Sequence, residues 1–167
     1  MIKYFAFLTI ILFSGAALSE VPPDNLNVIY SGISFKIPKH PVAIGHIGRG
    51  SDSLIIKYSR DPGNKYISIS KEVDLNFEGC SPNHFFEMIL SDTVPSACEG
   101  SISAFREIFV KNSSHGAWLG SEHKFYYFII GDNSSFIFSV LDDGLVIKFE
   151  SDFLVKSELK EALLNNI

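Results

Sequence analysis

Short runs of alternating apolar and polar residues, separated by turn-forming residues, constrain the fold of this chain most. In residues 33–37, three large apolar side chains alternate with Ser34 and Lys36, which places the apolar ones on one face of a strand. Ser31 and Gly32 lie between this run and residues 26–30, and a two-residue connection containing Gly is typical of a tight hairpin. The sequence therefore predicts an opening β-hairpin.

Further strands are predicted along the rest of the chain. The turn Asp61-Pro62-Gly63-Asn64 separates two of them, and Gly with Asp or Asn occupies the connections at 131–133 and 142–144. The last three strands read as an antiparallel meander. The predicted strands cover residues 42–47, 54–59, 66–69, 124–130, 135–141 and 145–150.

Helical spacing is predicted in three places. Ser81 is a suitable N-cap with Pro82 at the first helical position, and the apolar residues that follow recur at helical intervals. Residues 101–110 fit a helix or a strand, with the helix favoured, and Ser157 can cap a final helix. The prediction is one α+β domain over residues 20–167, a twisted, mainly antiparallel sheet covered by two or three helices.

The first 19 residues have the layout of a cleavable signal peptide. Lys3 precedes an apolar run from residue 4 to 13, and small residues at 17 and 19 suit cleavage after Ser19. The run is shorter than the roughly 20 residues of a membrane-spanning helix, and Pro22 and Pro23 follow closely. We expect export to the periplasm or secretion, without stable membrane insertion after cleavage; a retained anchor is the less favoured alternative.

The charge balance narrows the classes of partner. Cleavage after Ser19 removes Lys3 and leaves 13 basic against 19 acidic side chains, a net charge of −6. Nucleic acid and anionic membrane surfaces require clustered Lys and Arg, so neither is expected as a partner. An acidic protein steers toward a basic one, and we expect a protein partner of that kind.

Two cysteines remain in a chain expected to enter an oxidising compartment. A disulfide between Cys80 and Cys98 is therefore the favoured interpretation, and it would bracket the predicted helix after Ser81. Such a cross-link stabilises a domain by about 3 kcal/mol in the chain-entropy description. Zinc binding by the two thiolates is the alternative, but no further Cys or His stands at zinc spacing.

No catalytic, cofactor or metal motif is found in the sequence. The glycines at 45, 48 and 50 resemble a phosphate loop, yet they lead into a strand where a phosphate loop needs a helix N-terminus. We interpret this segment as a flexible loop that presents Arg49 to an acidic partner. The five histidines form no recognised metal pattern, and no nucleophile elbow occurs, so a non-enzyme is expected.

Several side chains are candidates for contact with a partner. Besides Arg49, we select His115 in the predicted loop 112–116 and Asp132 in the loop 131–133. Tyr126 and Phe128 share one face of a strand; the core is the favoured place for them, and an exposed patch for a partner is the alternative. Asn112 and Asn133 match the N-glycosylation pattern, which matters only in a eukaryotic secretory pathway.

The two ends of the chain resemble PsbP-like α/β/α sandwich proteins. Gly32-Ile33-Ser34-Phe35-Lys36-Ile37-Pro38 is similar to the opening strand that ends in Pro, and residues 145–167 are similar to the closing strand and helix. The cysteine-bracketed middle is not part of that pattern. The resemblance implies a non-catalytic accessory or binding role and transfers no site residue.

Three functions stay open on the sequence alone. The favoured one is a small exported protein that binds another protein, for instance an immunity-type inhibitor of a toxin that acts on the cell envelope. The second is a ligand-binding or envelope-maintenance module with an apolar pocket lined by Phe. The third is a hydrolase whose site is assembled from residues distant in sequence.

Overall fold

A computed structural model describes residues 25–48, 52–93, 96–131 and 134–164. The predicted signal peptide, Arg49, Asp132 and Asn133 lie outside these ranges. The strands are β1 (Asn25–Tyr30), β2 (Ile33–Pro38), β3 (Ala43–Ile47), β4 (Ser53–Lys57), β5 (Tyr66–Glu72), β6 (Ser113–Leu119), β7 (Lys124–Ile130), β8 (Ser134–Val140) and β9 (Val146–Ser151). The helices are α1 (Pro82–Ile89), α2 (Glu99–Phe105), which continues into a π-helical segment (Arg106–Val110), and α3 (Lys156–Leu164).

Seven of the strands form one sheet in the order β3-β4-β5-β9-β8-β7-β6, and every neighbouring pair is antiparallel. Two meanders, β3 to β5 and β6 to β9, meet where β5 pairs with β9. The remaining two strands form a separate hairpin, with Ser31 and Gly32 both at positive φ in the turn. The described residues thus form an α+β structure that is mostly β, with three α-helices, as the strand and turn patterns predict.

The β1–β2 hairpin and α3 cover one face of the large sheet. Ile33, Phe35 and Ile37 of β2 point toward the sheet and are at most 1% exposed. The ring of Phe35 stacks on Phe149 of β9 at 5.6 Å between centroids, and Leu159 of α3 is fully buried in the same core. The alternation of β2 therefore serves to bury one side of a hairpin against a second sheet.

Helices α1 and α2 cover the other face, mainly over β7 and β8. Phe86 of α1 stacks on Tyr126 of β7 at 5.0 Å and on Phe138 of β8 at 5.2 Å, and Phe105 of α2 meets Phe138 edge-on at 5.6 Å. Apolar residues occupy both sides of β7 because both faces are covered.

The helix ends show which local signals determine their positions. Ser81 caps α1 as predicted, since its hydroxyl accepts a hydrogen bond from the His84 N–H at 3.4 Å. Ser157 does not cap α3, which begins one residue earlier. The Glu158 carboxylate accepts the Val155 N–H at 3.0 Å instead, the same role that Glu has in a capping box.

Candidate functional site

Strand β3 is the least covered strand of the large sheet. All five of its residues are exposed, and Ile44 and Ile47 are 57% and 51% exposed despite their apolar side chains. Neither core cluster of the described residues includes a residue of β3, because the β1–β2 hairpin, α1 and α2 lie over other strands. An exposed edge strand with apolar side chains is a surface on which another strand can pair.

Backbone hydrogen bonds on β4 establish which groups of β3 are free to pair. The Lys57 carbonyl accepts the Val42 N–H at 2.7 Å, on the β3 side, whereas the Asp52 carbonyl accepts the Lys71 N–H at 3.0 Å, on the β5 side. Successive residues of a strand direct their backbone groups to opposite sides. The odd-numbered residues of β4 therefore face β3.

The β3–β4 register shows which residues of β3 direct their backbone groups toward β4. Residues 53, 55 and 57 of β4 pair with residues 47, 45 and 43 of β3, so those three residues face β4. The N–H and C=O groups of Ile44 and His46 consequently point away from the sheet, toward the open edge. They are donors and acceptors that a further strand requires.

A cluster of charged and polar side chains lies at the end of β3 nearest the β3–β4 loop. His46 Nε2 lies 2.6 Å from Asp52 Oδ1, and Lys71 Nζ lies 3.0 Å from Asp52 Oδ2. Tyr30 donates its hydroxyl to the Asp52 carbonyl. Hydrogen bonds from His46 and then Lys71 lower the pKa of Asp52, and the hydrogen bond to Asp52 raises the pKa of Lys71. The Asp52 carboxylate is thus ion-paired with Lys71 and hydrogen-bonded to His46.

A second surface feature is an open groove beside α2 and its π-helical continuation, which we call the α2 groove. Its volume is about 270 Å³. Phe85 and Phe105 form a buried apolar floor, and Ile108 on its rim is 63% exposed. Asp74 and Glu78 are the charged side chains that line it. Single π-helical turns are frequent at functional positions, and this one supplies Ile108 and Phe109 to the groove.

Glu78 and Gly100 build one end of the α2 groove. The Glu78 carboxylate accepts the Ser101 N–H at 3.0 Å, and Glu78 itself has a φ of 47°. A Cβ at Gly100 would lie 3.0 Å from that carboxylate, so the absence of a side chain at Gly100 leaves the space that Glu78 occupies. The Cys80–Cys98 disulfide, with a Cα–Cα distance of 6.0 Å, joins the chain segments that lead into α1 and α2.

Of the predicted contact residues, Tyr126 and Phe128 lie in the core. Tyr126 is 2% exposed and Phe128 is fully buried, because α1 and α2 cover their face of β7. The alternative of an exposed aromatic patch is therefore wrong, and the favoured interpretation of these rings as core is confirmed. The Tyr126 hydroxyl reaches Glu87 of α1 at 2.8 Å and ties that helix to the sheet.

His115 is exposed, but it lies on a strand and not in a loop. Strand β6 includes it, opposite Phe128 of β7, and its ring stacks beside Phe128 at 6.4 Å. Its Nδ1 atom is 3.2 Å from the Ser113 carbonyl. Asn112, exposed at a φ of 65°, precedes this strand. His115 thus lies at the opposite edge of the large sheet from β3.

The search for other kinds of site gave little. Within the described ranges, no group of three or more His, Cys, Asp or Glu residues lies where it could hold a metal ion. No helix in the same ranges is long and apolar enough to cross a membrane. Lys156 Nζ lies 3.0 Å from Ser114 Oγ, but both side chains are exposed, whereas an activated lysine needs a desolvated setting.

Comparison of the chain with protein-family models, with curated proteins and with solved structures gave no match in any of the three. The resemblance of the chain ends to PsbP-like proteins therefore stays a prediction.

Sequence reasoning anticipated β3 as a strand but missed its exposure. Residues 42–47 carry three large aliphatic side chains, and such a run is typical of a buried strand. A signal was present, however, in Pro38 and Pro41, because proline within or beside a strand indicates an edge.

Proposed function

We propose that this protein is a small exported, non-catalytic domain that binds another protein by strand addition at β3. The exposure of all five β3 residues is the observation that carries the proposal. An extended segment of the partner would accept and donate hydrogen bonds at Ile44 and His46, which direct their backbone groups outward. Main-chain pairing gives such complexes their affinity, and side-chain pockets on alternate positions give them their specificity.

The side chains of β3 add to the backbone pairing. Val42, which precedes β3, and Ile44 within it are 51% and 57% exposed. A segment paired at the edge would cover part of both, and burial of apolar surface contributes roughly 25 cal/mol per Å². Each new backbone hydrogen bond contributes about 0.5–1.5 kcal/mol in addition. These magnitudes suit a specific interaction of moderate strength.

Export and the disulfide agree with a role in the periplasm or outside the cell. The signal-peptide layout of residues 1–19 and the paired cysteines both favour an oxidising compartment. In that compartment, we propose an immunity-type inhibitor of an envelope-targeting toxin as the specific form of the function. Its small size, stable cross-link and open edge suit a protein that covers a surface of another.

The direct test is capture of a partner by the oxidised protein, residues 20–167, from an extract of the source cells and their competitors, followed by cross-linking and mass spectrometry. Ile44→Pro removes the outward N–H without removing a β3–β4 hydrogen bond, and edge positions tolerate Pro. Ile44→Thr is the matched control, because it keeps the N–H while shortening the side chain. Thermal unfolding of both variants checks that the domain is folded.

We expect one stoichiometric partner with cross-links to β3 and its neighbours. Capture should fall sharply with Ile44→Pro and persist with Ile44→Thr. If both variants capture the partner as well as the wild type does, β3 is not the docking strand. If no protein is captured reproducibly under any condition, the protein-binding function itself is rejected.

The α2 groove favours a second function, the binding of an apolar molecule. In the described part of the chain, the rings of Phe85, Phe86, Phe105 and Phe138 beside this groove pack directly on one another. The groove volume of about 270 Å³ lies just below the roughly 300–1,000 Å³ of sites for drug-sized ligands, so an acyl chain or a single side chain would fit it better.

Native mass spectrometry of the purified protein tests this second function. Ile108→Glu places a charge on the groove rim, and Leu119→Glu is the control, at an exposed position on β6. Added mass that disappears only with Ile108→Glu would support an apolar ligand. An unmodified mass in the wild type, together with no binding of added fatty acid, would exclude it.

A further inference from the structure

We infer that the segment bound at β3 is an extended, acidic stretch of a different protein and not a second copy of this chain. The inference rests on the proposed strand addition and specifies its occupant. It follows from the distribution of charge around β3, which is opposite to that of the whole protein.

The chain from the start of the β1–β2 hairpin to the end of β3 contains no carboxylate side chain. Residues 25–51 include Lys36, Lys39 and Arg49, together with His40 and His46, and no Asp or Glu. The whole chain, in contrast, has 19 acidic residues and a net charge of −5. An acidic protein has therefore kept one long segment, the β1–β2 hairpin and β3, free of negative charge.

The described structure places further cations beside β3. Lys57 of β4 lies opposite Ala43 in the register, on the same face of the sheet. Asp52, the carboxylate at the end of β3, is ion-paired with Lys71 at 3.0 Å and hydrogen-bonded to His46 at 2.6 Å. The Lys57 ammonium group donates to the backbone carbonyl of Asp61, in the turn after β4, at 2.9 Å.

The small residues of β3 open a path to Lys57. A Cβ at Gly45 would meet no atom within 4 Å, and Ala43 carries only a methyl group. An added strand would lie about 4.8 Å beyond β3, and thus about 10 Å from β4. A Glu side chain on this face can extend across Gly45 or Ala43 toward Lys57. Its charge would then be paired without displacing a side chain of β3.

A second copy of the chain fits the edge poorly. Pairing of two β3 strands would bring two segments without carboxylates together, and like charges on opposing strands destabilise the pair. A five-residue strand is only about 17 Å long, so edge pairing covers far less than the ~800 Å² per partner of a standard interface. An acidic segment avoids the like charges, and a transient complex with a flexible segment does not need the interface area of a stable dimer.

Two synthetic peptides of about eight residues test the inference, one with Val and Thr alternating with Glu and the other with Lys in place of each Glu. Both are capped at their termini, and binding to the oxidised protein is measured by calorimetry at low and at physiological salt. We expect the Glu peptide to bind about tenfold or more tightly than the Lys peptide, with the difference shrinking as salt is added.

Variants of the protein test whether the peptide binds at β3. Ile44→Pro should abolish binding of the Glu peptide, Ile44→Thr should preserve it, and Lys57→Gln should reduce the preference for Glu over Lys. Equal binding of the two peptides, or no binding of the Glu peptide, overturns the inference. A dimer by light scattering that Ile44→Pro dissociates would show that a second copy is the occupant.

The capture and peptide experiments together distinguish a wrong acidic occupant from a wrong docking strand. If Ile44→Pro prevents capture of a natural partner but the peptides do not differ, β3 remains the docking strand and the acidic occupant is wrong. If the natural partner binds through another surface, the docking strand is rejected whichever peptide binds.

Discussion

Two serines of β8 lie in the same core, and they differ in whether the hydroxyl has a hydrogen-bond partner among the described residues. Ser135 is fully buried, and its hydroxyl donates to the Ser151 carbonyl at 3.1 Å. Ser139 is 2% exposed, and its hydroxyl has no hydrogen-bond partner among the described residues. It faces apolar side chains that include Phe35 and Ile147. A buried hydroxyl without a partner costs free energy, because it has left water without replacing the hydrogen bonds it made there.

We therefore expect Ser139→Ala to increase the free energy of unfolding by about 1 kcal/mol, and Ser135→Ala to decrease it by a similar amount. The two substitutions remove the same atom from the same strand, so each controls for the other. Urea unfolding monitored by Trp118 fluorescence measures both. Equal losses of stability in the two variants would show that Ser139 has a partner after all.

Glu87 provides a link between α1 and β7 that depends on pH. Its carboxylate accepts hydrogen bonds from Lys124 and from the Tyr126 hydroxyl. The hydrogen bond from Lys124 is the main cause of the lowered pKa of Glu87, and desolvation opposes it. A carboxyl group with a lowered pKa in the folded state stabilises the fold above its unfolded pKa. That contribution is lost as the pH falls through the folded pKa.

Glu87→Gln should therefore lower the free energy of unfolding at pH 7 by about 0.5–1 kcal/mol, the scale of a partly exposed ion pair, since the Glu87 side chain is 46% exposed. The difference from the wild type should disappear at a pH below the lowered pKa of Glu87, where the wild-type carboxylate is protonated too. Urea unfolding at both values gives the comparison, with Glu122→Gln as the exposed control. A difference that persists at low pH would mean that Glu87 acts through packing and not through charge.

At the scale of single elements, local sequence signals predicted most boundaries. The hairpin at Ser31-Gly32, the cap at Ser81 and strand β7 follow from residues close to one another in the chain. Strand β6 does not, because Ser113, Ser114, His115 and Gly116 favour a loop. It is a strand because its backbone pairs with β7 along its whole length. Such tertiary pairing overrides weak local preference.

The disulfide is the strongest constraint on the two helices of the second core. Cys80 and Cys98 enclose α1, and the cross-link joins segments 18 residues apart in sequence. Replacing both cysteines by Ser should lower the free energy of unfolding by about 2–4 kcal/mol, since the unfolded chain regains the entropy of an open loop.

Chemical denaturation of the wild type with and without reductant, and of the double variant, measures this contribution. We expect the reduced wild type and the variant to have the same midpoint. If the oxidised and reduced proteins unfold at the same denaturant concentration, the helices do not depend on the cross-link.

At the scale of the whole molecule, the decisive feature is which strands the helices and the hairpin cover. Strands β5 and β9 pair across more than seventy residues of sequence, from Ile67 with Ser151 to Glu72 with Val146. No local pattern specifies that pairing, so the sequence predicts the meander of β7, β8 and β9 and the turn between β4 and β5 but not the joining of these two parts. The position of β3 at an open edge depends on this joining, so the sequence alone does not predict it.

The covering of some strands by the hairpin and the helices also determines how local stability varies across the sheet. Strands β7 and β8 are buried on both faces, with Phe128, Ile137 and Phe138 at most 1% exposed, whereas every residue of β3 is exposed. Local opening is easiest where few apolar contacts must be broken. Strand β3 should therefore open without the rest of the domain, while β8 should open only when the whole domain unfolds.

Hydrogen exchange of individual amides tests this gradient and the docking strand together. In the free protein, we expect the Ile44 and His46 amides to exchange roughly a thousandfold or more faster than those of Ile137 and Phe138, whose opening requires global unfolding at about 5–15 kcal/mol. The Glu peptide should slow exchange at Ile44 and His46 and leave Ala43 and Gly45, already bonded to β4, less changed. If the Ile44 amide is as protected as β8 in the free protein, the edge is already covered in solution and cannot be the docking strand.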